Sequence, residues 1–429
     1  MNASGLPRWL TAFPELWRDS TGYALSKAIP GVVGLATVVV FVRAIGPEEY
    51  GKYALTVTVV NMASAFFMGW LTQALLRYYG EMRVAPEARR AMWMGLGGAT
   101  LAGALVLGVG HAAGLTGHRA WIGLAAALAL FLGSNVYQLR TALLQAQIQP
   151  GDVVVLSSVQ ALIALLVPVA LFAIAGRTYL AAVAGLAVSY GLAVAWRGRE
   201  PGTRLAGQPG LKANTRRLLA RLWRYGWSLS FWFAVTTMLP VSDRFFIERH
   251  LGFGATGSYA AVYDVVVRGY SLLLAPITMA VHPRMMGLWS AREPARAWAT
   301  WRWAMGAQAV LVAVLLAVLA MFSGWGLRFI RNMAGAEAAS VALPLLIGGF
   351  LWQFALLAHK PLELAGRTGL MLGAAAIALG INVTANALLL PRYGIQVTAA
   401  ATVASGLAYV CLTLALGALV HRRGPGARG

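Results

Sequence analysis

The chain is poor in acid and poor in charge of any kind. Its 429 residues include 14 Asp and Glu, and charged residues make up only 11%. A soluble globular domain carries about 25%, so a water-facing surface of ordinary composition is excluded. A single cysteine, Cys411, sits in an apolar stretch. Neither an intrachain disulfide nor a cysteine-based metal site follows from it. There is no Gly-Lys-Ser/Thr phosphate loop, hence no sign of ATP hydrolysis. Histidine pairs and acidic clusters at metal-ligand spacing are also missing, as is a serine or cysteine nucleophile with a base beside it. The expectation is a chain that is not an enzyme and holds no metal.

What is present is apolar. Hydrophobic residues make up 59% of the chain and the mean hydropathy is +0.67. A spanning helix needs about 20 apolar residues. Apolar runs separated by charged or Gly/Pro-containing breaks predict twelve: 23–42, 53–76, 91–113, 120–139, 153–175 and 178–196 in the first half, then 226–247, 256–282, 299–323, 340–358, 368–390 and 396–420. The expected fold class is all-α and polytopic.

The net charge is +21, from 35 Lys and Arg. With twelve spans, 25 of these fall on the N-terminus, the even-numbered connections and the C-terminus; 8 fall on the odd-numbered connections, and Arg244 and Arg268 lie within spans. Lys and Arg collect in cytoplasmic loops, so both termini are expected in the cytoplasm and nucleic acid is not a partner. No cleavable signal peptide is predicted. Instead Trp9, Leu10, Phe13, Leu16 and Trp17 mark one face of a surface helix.

The longest polar stretch, 197–224, carries eight basic residues midway along the chain. It divides the chain into an interfacial segment 1–22, a six-helix lobe 23–196, a basic cytoplasmic linker 197–224, a second lobe 225–420 and a tail 421–429. An internal repeat supports the division: GPEEYGKYA at 46–54 matches GFGATGSYA at 252–260, pairing Gly46 with Gly252, Gly51 with Gly257, Tyr53 with Tyr259 and Ala54 with Ala260. Both copies follow the first span of their half. Six helices separate them, so the repeats run parallel, a transporter architecture.

Three segments carry a resemblance. VRAIGPEEYGKYAL at 42–55, SDRFFIERHLGFGATGSYAAVYDV at 242–265 and NALLLPRYGIQVTAAATVASGLAYV at 386–410 resemble, in order, the first outer loop, the seventh-to-eighth helix segment and the final hairpin of Wzx-type polysaccharide flippases. These belong to the multidrug/oligosaccharidyl-lipid/polysaccharide superfamily. The resemblance implies a V-shaped pair of six-helix lobes around a cavity in a bacterial cytoplasmic (inner) membrane. It implies translocation of an undecaprenyl-diphosphate-linked oligosaccharide for cell-surface polysaccharide or lipopolysaccharide (O-antigen) assembly. Its implied partners are that lipid-linked glycan, membrane lipids, a polysaccharide polymerase and other assembly proteins.

An ionisable group inside the bilayer costs about 2.5–3.5 kcal/mol on insertion scales and needs a reason. Arg268 lies deep in the span 256–282, with Asp264 four residues earlier at a pairing distance. Lys27 precedes Pro30 in the first span, Arg140 follows the fourth, Arg77 closes the second, and His359–Lys360 falls opposite Arg140–Thr141 in the second half. Arg268, Arg140, Lys27, Lys360 and Arg77 are therefore the candidate cationic cavity, with arginine forks and lysine point charges suited to a diphosphate. Asp243 and Arg244 read as an ion-pair site near Glu248. Asn61, Ser64, Asn135, Gln138, Gln353, Asn382 and Asn386 add uncharged groups of the kind that join helices. No cofactor is expected; a proton or sodium gradient could drive alternating access, with Asp264 or Asp243 titrating. The competing readings are a cation-coupled multidrug antiporter of the same superfamily, which would favour embedded carboxylates, and a lipid II flippase, which carries fourteen spans. A membrane glycosyltransferase or ligase would need a larger outer loop than the longest here, 324–339.

Overall fold

The computed structural model describes residues 13–82, 88–112, 121–147, 149–196 and 215–422, with side chains from Ile29 onward apart from Pro150, His421 and Arg422. Among the described residues every regular element is an α-helix. The first six are α1 (Phe13–Met82), α2 (Ala88–Ala112), α3 (Trp121–Ala146), α4 (Pro150–Ile174), α5 (Tyr179–Trp196) and α6 (Thr215–Met238). After these come α7 (Asp243–Ser290), α8 (Pro294–Met321), α9 (Ser323–Ala334), α10 (Ala336–Ser340) and α11 (Ala342–Ala358). The chain continues as α12 (Lys360–Leu364), α13 (Thr368–Tyr393) and α14 (Ile395–Arg422).

Two of these helices are too long to be single spans. A helix rises about 1.5 Å per residue, so the 70 residues of α1 would run roughly three times the bilayer core of about 30 Å. Both α1 and the 48-residue α7 are broken by a glycine, Gly46 at φ 79°, ψ 166° and Gly252 at φ 84°, ψ 177°. That backbone region is open to glycine alone, so the breaks are written into the sequence. Ten described helical stretches are long and apolar enough to cross a membrane. The two glycine breaks divide them into twelve, and the all-α polytopic fold class holds.

Two expectations need correction. The span at 226–247 is not one helix: α6 ends at Met238, and Leu239–Ser242 form a turn before α7 begins at Asp243. Pro240 lies in that turn; lacking an N–H and crowding the preceding turn, it stops α6. The stretch 324–339, expected as a loop, is largely helical (α9 and α10), with Trp325 stacked on Phe329 at 5.8 Å. Of the surface helix expected at 9–17, the side chains lie outside the described residues.

By contact, the chain forms two compact units that each draw on both halves of the sequence. One joins the chain up to Val38 with Ala261 onward; the other is Val39–Ala260. In the second unit, Leu71, Leu75, Met82, Ala88, Met92, Leu96, Leu143 and Leu222 bury a common apolar core. Small residues let the helices close on it: Gly226 faces the Trp70 carbonyl, and Gly103 faces the Phe131 ring. In the first unit, Gly348 and Gly349 of α11 meet Thr402 and Val266 in the same way.

Candidate functional site

Arg268 is the outstanding intramembrane charge. It lies 16 residues beyond the Gly252 break, about 24 Å along the helix, within a stretch apolar and long enough to cross a membrane. The helix segment that carries it packs on the first arm of α1 through two glycines. A Cβ at Gly31 would fall 2.0 Å from a Leu272 methyl, and one at Gly34 would fall 2.2 Å from Arg268 Nη1. The glycine pair thus makes the groove in which the guanidinium lies. Arg268 is exposed within the protein, whereas Asp264 is half-buried. The expected Asp264–Arg268 pair does not form. Spacing of four allows such a contact, but here the arginine extends across to α1 instead. Arg268 has no ion-pair partner among the described residues.

The other candidate cations differ. Lys360 is not a free cavity charge: its Nζ lies 2.5 Å from Glu363 Oε2 on the short helix α12. Glu363 also approaches His282 Nε2 at 3.9 Å and His359 Nε2 at 4.0 Å, and Tyr409 Oη stands 3.3 Å from His359 Nδ1. Sequence reasoning does not single out Glu363, His282 or Tyr409, because their meeting depends on helices that are distant in the chain. The three-residue spacing from Lys360 to Glu363 was the available signal. Arg140 is half-buried near the end of α3, and Arg77 is exposed near the end of the second arm of α1. The side chain of Lys27 lies outside the described residues.

Asp243 and Arg244 are buried, at 1% and 4% exposure, and do not form an interfacial bridge with Glu248. Because the turn at Pro240 starts a new helix, Asp243 sits in the first turn of α7, where the helix dipole favours an acid. Tyr259 donates its hydroxyl proton to Asp243 Oδ2, and Arg244 Nη1 donates to Thr58 Oγ1 at 3.3 Å. Tyr259 belongs to the internal repeat, and the two copies of that repeat pack directly on each other. A Cβ at Gly257 would stand 1.7 Å from the Pro47 carbonyl oxygen, and one at Gly51 would stand 2.1 Å from the Phe253 carbonyl oxygen. The uncharged polar residues join helices as expected: Ser64 with Ser134 (3.3 Å), Asn135 with Thr100 (3.4 Å), Gln353 with Ser271 (2.9 Å) and Asn382 with Ser405 (3.4 Å).

The sequence profile of the family described as polysaccharide biosynthesis protein matches residues 16–289, which takes in Arg268, the Asp243–Tyr259 bond and both repeat copies. The chain belongs to the polysaccharide biosynthesis protein family. No curated protein sequence matches this family member. Among solved structures it resembles an inward-facing multidrug resistance MATE family transporter of the MOP superfamily, with TM-score 0.69 and 13% identity over 94% of this chain and 100% of that one. It also resembles the lipid II flippase MurJ in an inward closed conformation, with TM-score 0.69 and 14% identity over 92% and 87%. A third is the Vibrio cholerae MATE transporter VcmN, with TM-score 0.66 and 15% identity over 96% and 98%. At such identities the likeness establishes the fold: this polysaccharide biosynthesis family member has the fold of MOP superfamily transporters.

Proposed function

We propose that the chain is a flippase for an undecaprenyl-diphosphate-linked oligosaccharide, carrying it across the bacterial cytoplasmic membrane by alternating access for cell-surface polysaccharide assembly. Arg268 is the observation that carries this reading. A cation within a membrane-spanning helix, exposed in the structure and without an acidic partner among the described residues, is costly against lipid. It is therefore read as facing a hydrated path, where its charge awaits an anion. A diphosphate supplies that anion, and the planar guanidinium matches its oxygens. The Gly34 groove holds the fork in place between turnovers. Lys360, already neutralised by Glu363, fits better as a structural charge at the start of α12.

A multidrug antiporter that expels organic cations fits Arg268 poorly, since like charges repel. Lipid II is itself a diphosphate-linked amphiphile, and the fold likeness to MurJ keeps it as the second substrate of the same chemistry. The test is complementation in a bacterium lacking its own polysaccharide flippase, with a parallel strain depleted of its lipid II flippase. Wild type restores surface glycan in the first strain, Arg268→Lys restores part of it, and Arg268→Ala restores none at equal protein level. Glycan export by Arg268→Ala at wild-type level would sink the proposal. Rescue of the second strain alone would assign lipid II.

A further inference from the structure

Between the membrane-crossing helices α8 and α11 the chain inserts α9, SGWGLRFIRNMA, 12 residues long. At about 18 Å it is too short to cross a bilayer core of about 30 Å, so it stays at one membrane surface. Turns isolate it at both ends. The Phe322 carbonyl accepts the Trp325 and Gly326 N–H groups at 3.0 Å, and Gly335 breaks the chain again at φ 94°, ψ 172°. The helix is two-faced: Trp325, Phe329 and Met333 follow at steps of four, with Leu327 and Ile330 on the same apolar side, while Arg328, Arg331 and Asn332 hold the other.

The protein covers only one end of the apolar face. Met333 and Ala334 are buried, Phe329 and Ile330 are half-buried, and Trp325 and Leu327 are exposed at 65% and 45%. The uncovered end continues from α8, where Val310, Val314, Val318 and Met321 are exposed at steps of three or four. On a helix apolar enough to cross a membrane, such a stripe faces acyl chains. Exposed Phe322 and Trp325 carry it onto α9. On the polar face Arg328 and Arg331 are exposed, and neither has an ion pair or a hydrogen bond among the described residues. Glu337 on α10 is the one acid between Pro294 and Leu362, and it pairs with neither.

We propose that α9 lies flat in the headgroup layer and takes the phosphate of an anionic phospholipid between Arg328 and Arg331. An aromatic face opposite an arginine face is the pattern of a helix bound in that layer. Trp325 and Leu327 sit among the first acyl carbons, level with the end of the α8 stripe. The two guanidinium forks match phosphate oxygens, whereas a choline or ethanolamine head brings a cation of its own against them. The continuity with α8 selects the bilayer over a second protein as the occupant. The site goes beyond the flippase reading and does not rest on it.

The test places a probe beside the arginines. Leu327→Cys, on a Cys411→Ser background that removes the native thiol, is labelled with nitrobenzoxadiazole in the full chain and reconstituted into phosphatidylcholine vesicles. Equal mole fractions of phosphatidylglycerol or phosphatidylcholine, each with a nitroxide on the fifth acyl carbon, are then added as quenchers. Both should quench the dye, the phosphatidylglycerol at least twofold more. Arg328→Gln/Arg331→Gln should bring the two lipids level and leave quenching by phosphatidylcholine unchanged. Thermal unfolding of that variant should match wild type, since both side chains are exposed. Quenching by aqueous iodide but not by lipid would put α9 off the membrane and overturn the site. Protection from iodide and lipid alike would mean that protein, a second copy included, covers the face, and would overturn it too. So would equal quenching by the two lipids, or a preference that the double variant leaves in place. Transport plays no part in this readout, so its result is independent of the complementation test.

Discussion

At the scale of single residues, the chemistry rests on charges that the bilayer makes costly. Arg268 was legible in the sequence because its depth inside an apolar run required a reason. What spacing could not reveal was the direction its side chain takes, since that depends on Gly34, more than 200 residues away. Gly34→Ala tests the point: the new methyl meets only the mobile end of Arg268, which can swing aside. Its stability should stay within about 0.5 kcal/mol of wild type, while export in the complementation strain falls severalfold. Surface glycan and thermal unfolding, read side by side, separate the two effects. The buried Asp243 makes the opposite case. Tyr259→Phe removes the donor that its carboxylate holds, a loss of about 1.5–3 kcal/mol for a bond to a charged group, to be read as a lowered unfolding midpoint in detergent. Lys360 reads from sequence as a cavity cation because it falls opposite Arg140 in the second half; its partner Glu363 sits three residues on, in a helix of five.

At the scale of elements, the two glycine breaks decide how the long helices fold back. Both were visible as an internal repeat, since residues 46–54 and 252–260 share glycine, tyrosine and alanine at one offset. The interruption of the seventh span at Pro240 was not, because hydropathy runs through it unbroken while the backbone does not. Nor was the fact that the repeat copies meet. Gly257→Ala and Gly51→Ala both aim a methyl at a backbone carbonyl rather than at a side chain that can yield, so the segments themselves must part. Each should cost about 1–3 kcal/mol or more, and thermal unfolding of the purified variants measures it. Gly80→Ala, at a glycine with nothing within 4 Å, serves as the neutral control.

At the scale of the whole molecule, composition alone settled the class: a chain with this little charge has nowhere to live but a bilayer. Basic residues then set an expected orientation, with 25 on one side and 8 on the other. A fluorescent protein fused after the last residue should therefore fold and glow in the cytoplasm. Alkaline phosphatase inserted at 113–120 should be active, and at 83–87 inactive. The reverse pattern would invert every sidedness argument. The grouping of helices by contact escaped the sequence, because identical apolar faces give no hint of which neighbours they choose. The close meeting of Gly51 and Gly257 also has a consequence for heredity. Neither position can drift while the other stays, as no larger residue fits at one and no smaller residue exists to compensate at the other. In a saturating library of variants scored for export, those two columns, 206 positions apart, should be nearly blank: a duplication that descent cannot revise one copy at a time.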